Sequence, residues 1–215
     1  LHAYAKLFLV PESSLVQDDL LNLQMCGALL AAKSVVKTDP TLDSNTNIEN
    51  GVPREFEMEK CVFNVNLGAP VPALIAQDQG FNIPIDNPEM GFLEMGLKQF
   101  FKKSNFCLVT IKDLYFLVWK AHNMFFVFDF NGRNPKKFSL DIQDGVAMMI
   151  SLMSVENVYH FIVNLTGLSN EHFTLREMKM AQVISADGVT YVGELPLRTN
   201  EYEIINNDYA VLRAN

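Results

Sequence analysis

Three apolar runs in the middle of the chain constrain its fold more than any other feature. The runs are nearly continuous in apolar and β-branched residues, and they cover Phe106–Ile111, Leu114–Lys120 and Met124–Phe130. Runs of this length and composition predict β-strands that belong to a sheet covered on both faces. The centre of the chain is therefore expected to be a block of neighbouring strands.

Helices and further strands are predicted on both sides of this block. Ser154 and Gly167 are residues that begin and end helices, and Met25 and Leu29 share one apolar helix face. Strands are also expected at residues 57–67 and 146–152 and a terminal hairpin at 173–192, whereas residues 68–88 are expected to be irregular. This order favours an α+β domain with a central, mostly antiparallel sheet. The three predicted helices run from about Asn22–Met25 to Lys37, from Asn87 to Lys103 and from Ser154 to Gly167.

Composition excludes several classes of function. The 215 residues carry a net charge of −8, which disfavours nucleic acid because DNA affinity comes mainly from Lys and Arg on phosphates. No segment approaches the roughly 18 uncharged apolar residues of a membrane helix. Three widely spaced cysteines are not a disulfide framework, and they favour a reducing compartment, nuclear or cytoplasmic. No spacing predicts a metal site or a phosphate loop, so no cofactor is expected.

Polar residues follow directly after the third apolar run. The sequence there is Asp129-Phe130-Asn131-Gly132-Arg133, and Asn-Gly is the commonest two-residue hairpin signal. Asn131 is therefore a candidate turn residue with positive φ, and Asp129 a candidate loop cap. Cys26 is either a small buried hydrophobe or, at a helix N-terminus, a thiol whose thiolate the helix dipole favours.

These segments resemble the papain-like deubiquitinases of the herpesvirus large tegument protein type, including insect and mobile-element relatives. In that family a strand ends in Phe-Asp-x-His-x-Arg, and the Asp and His complete a Cys-His-Asp triad. The resemblance makes Cys26, in Gln24-Met25-Cys26-Gly27, the nucleophile and Asp129 the orienting acid, with Asn131 at the position of the His. Ala3 or Gln17 would stand where the family has its oxyanion-hole Gln.

The resemblance implies a papain-like fold in one degenerate domain over residues 1–215. Because Asn131 cannot exchange a proton near neutral pH, the leading expectation is an inactive protease-like module that binds another protein. The alternatives are an active deubiquitinase that uses Cys26 and an architectural domain that self-associates. Similarity of the two chain ends to multi-copy relatives suggests one unit of a tandem array, with neighbouring repeats or ubiquitin as possible partners.

The predicted terminal hairpin offers a candidate contact surface. Met178 and Met180 flank Lys179, and alternation places both methionines on one strand face. Methionine adapts to varied partners, so this face is a candidate binding site, with packing in the domain's own core as the alternative. His122 is expected to be exposed in a turn, and His160 is expected to be a surface or packing residue on a helix.

Overall fold

The chain divides into two compact units, each of which is described by itself. A computed structural model describes residues 1–9, 12–35, 54–74, 93–112, 114–134, 136–137, 139–141, 144–167, 172–188 and 190–192. Unit 1 comprises Leu1–Asn66 and Met180–Asn215, and unit 2 comprises Leu67–Lys179. The expectation of one domain over 1–215 stays a prediction.

Unit 1 combines two helices with short strands. The predicted strand at 57–67 is wrong as a single element, because Glu59 and Lys60 adopt positive φ angles of 50° and 63° and fold the segment into an antiparallel hairpin. Its elements are α1 (His2–Leu9), a 3₁₀ turn (Glu12–Ser14), α2 (Gln17–Val35), β1 (Glu55–Met58), β2 (Cys61–Leu67) and β9 (Thr190–Val192).

Helix α2 begins earlier than the sequence predicts. Its first turn carries Asp18 and Asp19, and the Asp19 carboxylate accepts a hydrogen bond from the Val16 backbone N–H at 3.0 Å. Acidic groups stabilise this end of a helix because the free N–H groups carry partial positive charge. Met25 and Leu29 are 64% and 61% exposed, so the predicted apolar face lies at the surface. Leu20 and Leu23 are the buried positions instead.

Unit 2 is built on an antiparallel sheet, which confirms the predicted α+β class. Strand order is β3-β8-β4-β5-β6-β7, and every neighbouring pair is antiparallel. Strand β8 contributes its residues through Lys179 to this unit. The elements are β3 (Val71–Leu74), α3 (Leu93–Phe100), β4 (Phe106–Ile111), β5 (Leu114–Ala121), β6 (Met124–Arg133), β7 (Val146–Leu152), α4 (Val155–Thr166) and β8 (His172–Ile184).

Strand β3 corrects the expectation of irregular chain at 68–88. Val71–Leu74 pairs with Leu175–His172 along β8, even though β3 contains Pro72. Proline has no N–H to donate, and a strand tolerates that loss where the edge that carries the proline N faces away from a partner; among the described strands, β8 is the partner of β3. The predicted start of the second helix at Asn87 lies outside the described residues.

Helices α3 and α4 cover one face of this sheet. Leu93 and Leu97 of α3 and Val158 and Ile162 of α4 are buried in one cluster with side chains from β4, β5, β6 and β8. The predicted ends of α4 are confirmed: Ser154 accepts the Asn157 N–H, and Gly167 has a φ of 62°. Within the described part of the chain, no helix is long and apolar enough to cross a membrane.

Candidate active site

The end of strand β6 departs from regular pairing where the polar motif begins. β6 and β7 pair without interruption from Phe125 opposite Leu152 to Asp129 opposite Met148, and the register then shifts before Arg133. Gly132 carries the positive φ of this segment, at 71°. The interpretation of Asn131 as a positive-φ hairpin residue is therefore wrong, because β6 continues through it as a bulge with glycine in the left-handed position.

Close backbone packing holds the bulge in place. The Asp141 N–H donates to the Gly132 carbonyl at 3.0 Å, and the Gly145 N–H donates to the Asp141 carbonyl at 3.1 Å. A Cβ atom on Gly145 would lie 2.5 Å from the Gly132 carbonyl carbon, which is too close for any side chain. Glycine at position 145 thus permits the backbone contact that fixes the motif.

Asp129 is a buried carboxylate whose hydrogen bonds come from its own strand. It is 1% exposed. Its Oδ2 accepts from Arg133 Nε at 2.8 Å, and its Oδ1 accepts from the Asn131 backbone N–H at 2.9 Å and from Asn131 Nδ2. A buried charge persists only when it is paired and hydrogen-bonded, and this carboxylate is both. It is more than a loop cap.

Arg133 links this carboxylate to helix α4. It is also 1% exposed, and its Nη1 donates to the Leu165 carbonyl at 3.1 Å, in the last turn of α4. Free carbonyls at a helix C-terminus favour a cation. Its Nη2 makes no hydrogen bond to the described residues. The sequence pointed to Arg133 through the motif, but gave no sign of its partner, because that partner is a backbone group.

Asn131 makes hydrogen bonds with every polar atom of its side chain. Nδ2 donates to Asp129 Oδ1 and, at 2.9 Å, to the Tyr115 carbonyl, while Oδ1 accepts from the Tyr115 N–H at 3.3 Å. The amide thus donates to Asp129, as the imidazole of a catalytic Asp–His pair would. An amide cannot bind and release a proton near neutral pH, so Asn131 cannot act as a general base.

Cys26 lies in the interior of a helix. Because α2 begins at Gln17, the thiol is about two and a half turns inside it, where the helix dipole no longer acts. The expected N-terminal position is therefore wrong. Cys26 is half-buried and free, and it belongs to unit 1, whereas Asp129 and Asn131 belong to unit 2. The proximity of the three residues stays a prediction.

The other two cysteines have the properties of core residues. Burial raises the pKa of Cys107 well above its ordinary value. Burial, followed by the charges of Glu59 and Asp187, raises the pKa of Cys61. Thiolate is the nucleophilic form of cysteine, so neither residue is suited to replace Cys26.

Comparison with known proteins identifies the family of the chain. Residues 43–181 match the model of the "Herpesvirus tegument protein, N-terminal conserved region" family, which is more than half of the chain. The chain belongs to this family. The fold also matches a crystal structure described as the ubiquitin-specific protease encoded by murine cytomegalovirus tegument protein M48, in complex with a ubiquitin-based suicide substrate. That match has a TM-score of 0.58 at 15% identity and covers 97% of this chain and 84% of the other. No curated protein matches by sequence.

Both the family and the papain-like fold predicted from the sequence are thus confirmed for this tegument-family domain. The specific signal was the motif that contains Asp129, Asn131 and Arg133. Ala3 lies in α1 and Gln17 begins α2, and an oxyanion role for either stays a prediction.

The histidines of the tegument-family domain lie in different settings. His122 is exposed, with a φ of 52°, in the turn between β5 and β6, and His160 is exposed on α4, both as expected. His2 is buried, and its ring centroid lies 4.4 Å from that of Phe56. Burial lowers the pKa of His2 to about 4, so it is neutral at physiological pH. The positions of these histidines matter for the site because the donors to the Asp129 carboxylate among the described residues are Asn131 and Arg133.

The proposed methionine surface is not available to a partner. Met178 and Met180 are 1% and 3% exposed, which contradicts their prediction as an exposed binding face and favours the core alternative. Alternation along β8 was real, but a strand inside a sheet buries such a face in its own protein. Met180 also contributes its backbone N–H to a hydrogen bond with the Tyr4 hydroxyl at 3.0 Å.

Proposed function

We propose that this domain is a catalytically inactive relative of the viral deubiquitinases and acts by binding another protein. The observation that carries the proposal is the Asn131 amide, which donates to Asp129 where the resemblance to the family leads us to expect the catalytic His. The domain then keeps the fold of a protease without a group that can activate the thiol.

Thiolate is the nucleophilic form of cysteine, so a cysteine protease needs a group that takes up the thiol proton. Cleavage also needs a proton donor for the leaving amine. Loss of a positioned base lowers the rate by a factor on the order of 10²–10⁴, and by more where the triad acts as a unit.

Strand β7 supplies a surface for a protein partner. It is the last strand of the sheet path, and its seven residues, Val146 to Leu152, contain no charge and no proline. Natural edge strands are protected by charges, prolines or bulges, whereas an unprotected edge pairs readily with another strand. Of the described strands, β6 is the one that pairs with β7. The edge of β7, and not the buried face of Met178 and Met180, is therefore the surface at which we expect a partner strand to add.

Ubiquitin is the first partner to examine. The M48 protease with the same fold was crystallised with a ubiquitin-based suicide substrate. A domain that keeps the fold of a protease can keep its binding surface after it has lost catalytic activity. The net charge of −8 disfavours nucleic acid as the alternative ligand.

A ubiquitin suicide probe tests the proposal. The probe forms a covalent adduct only with an activated thiol, so we expect no adduct in intact-mass spectra of the wild-type domain at pH 7. Cys26→Ala is the control for reaction at other sites. A rapid adduct that disappears in Cys26→Ala would support the active-enzyme alternative and overturn the proposal.

Self-association is the second candidate function, and the uncharged edge of β7 favours it. Antiparallel pairing of two copies of β7 would bring no like charges face to face. Ser151→Lys places a charge on this edge at an exposed position, and Asn164→Lys places the same charge on the exposed side of α4. If the domain self-associates through β7, light scattering will show a smaller mass for Ser151→Lys alone. Equal masses for both variants and the wild type would exclude this interface.

A further inference from the structure

We infer that Asn131 has become a structural bridge that joins the ends of β5 and β6, and that only an amide side chain can form it. The inference deepens the proposed function, because it states what the residue at the lost base position does instead. The hydrogen bonds that form the bridge do not depend on whether the domain has residual activity.

The bridge lies where the ladder between β5 and β6 ends. The two strands pair from Ala121 opposite Met124 to Phe116 opposite Asp129. Tyr115 is the next residue of β5 beyond this ladder, and Asn131 lies two residues beyond Asp129 on β6.

The Asn131 side chain bonds both backbone polar groups of Tyr115. Its Oδ1 accepts the Tyr115 N–H at 3.3 Å, and its Nδ2 donates to the Tyr115 carbonyl at 2.9 Å. A primary amide has the same donor and acceptor as a peptide group, and here it adds one rung to the sheet. The second proton of Nδ2 is donated to Asp129.

Counting donors and acceptors shows why other side chains do not fit. The bridge uses one acceptor and two donors, which is what an asparagine amide offers at this geometry. Neutral imidazole has one donor and one acceptor, and imidazolium has two donors and no acceptor. Histidine therefore leaves one of the three bonds unmade in either protonation state. Aspartate has no donor and would add a second negative charge beside Asp129.

Catalysis and bridging thus exclude each other at position 131. A general base must keep one ring nitrogen free for the thiol, whereas the bridge uses every polar atom of the side chain. We therefore expect Asn131→His to disturb the end of β6 rather than to restore an active site. The energetic contribution is that of three part-buried hydrogen bonds.

Amide hydrogen exchange measured by NMR tests the bridge in the wild-type domain. The Tyr115 amide is expected to exchange at least tenfold more slowly than an unprotected amide, because its N–H is bonded to Asn131. Exchange of the wild-type Tyr115 amide at the unprotected rate would overturn the inference without any variant.

Variants at position 131 provide the second test. In Asn131→Ala and Asn131→His we expect exchange at Tyr115 to accelerate at least tenfold while that of Val118 stays slow, and Tm to fall by about 5 °C or more. Asn164→Ala and Asn164→His, at an exposed position on α4, are matched controls with unchanged Tm. An Asn131→His variant with wild-type Tm and wild-type exchange at Tyr115 would contradict the bridge. Turnover of a ubiquitin substrate by the wild type would refute the proposed function and leave this test unaffected.

Discussion

Asp129 and Arg133 are four residues apart on β6 and form an ion pair in which both side chains are 1% exposed. Taking two charges out of water is costly, and their attraction offsets that cost only with good geometry and further hydrogen bonds. Here the carboxylate has three donors, and Arg133 also donates to the Leu165 carbonyl. Removing either side chain would leave the other buried without its partner, and we expect that to destabilise the site strongly.

Arg133→Met is expected to lower the free energy of unfolding by about 3–5 kcal/mol, because it leaves the Asp129 charge buried without a counter-ion. Urea unfolding measures the change. Lys98→Met is the matched control: Lys98 is exposed, with Glu94 and Glu156 as its partners, so its loss should lower the free energy of unfolding far less. Similar losses in the two variants would show that Asp129 is not dependent on Arg133.

The residues of the polar motif could be predicted from the sequence, but the groups to which they hydrogen-bond could not. The motif predicted that Asp129 and Asn131 lie together near Cys26: the two are hydrogen-bonded to each other, and the proximity of Cys26 stays a prediction. Tyr115 and Leu165 contribute backbone atoms, which any residue type possesses, so no sequence pattern marks them. The prediction of an exposed face at Met178 and Met180 was wrong for a related reason: alternation along a strand does not show whether another part of the protein covers a face.

At the scale of elements, helix α4 shows how capping fixes a segment. Ser154 accepts the Asn157 N–H at its start, and Gly167 donates to the Val163 carbonyl at its end with a φ of 62°. Left-handed backbone costs residues with a Cβ about 1–2 kcal/mol, and glycine avoids this cost. Both caps were predictable because they depend on local chemistry.

Gly167→Ala is expected to destabilise the domain by about 1 kcal/mol, from backbone strain alone, because a Cβ there would meet nothing within 4 Å. Gly27→Ala is the matched control inside α2, where a Cβ also meets nothing within 4 Å and φ is helical. Alanine should stabilise that position by about 0.5–1 kcal/mol. Thermal unfolding that shifts in the same direction for both variants would contradict this assignment of the two glycines.

The other helices and strands were predicted well where the local sequence pattern was strong and poorly where it was weak. The long apolar strands β4, β5 and β6 were predicted with nearly correct ends, because continuous burial leaves a continuous pattern. Helix α2 was misplaced because Met25 and Leu29 have helical spacing but lie at the surface. The first turn of α2 was marked instead by Asp18 and Asp19.

At the scale of the whole molecule, the fold could be predicted from one short motif and its flanking apolar runs. Residues 43–181 match the tegument family, and 97% of the chain aligns with the structure of the M48 protease at only 15% identity. The division into two units was not predicted, because no linker composition marks residues 66–67 or 179–180.

Multiple-turnover hydrolysis of a ubiquitin-amide fluorogenic substrate, with the M48 protease as positive control, tests directly whether the domain is inactive. We predict that the wild-type domain and Cys26→Ala release the fluorophore at the same background rate, because Asn131 cannot shuttle the proton. Saturable turnover by the wild type that is lost in Cys26→Ala would contradict this prediction, and would mean that another group supplies the base.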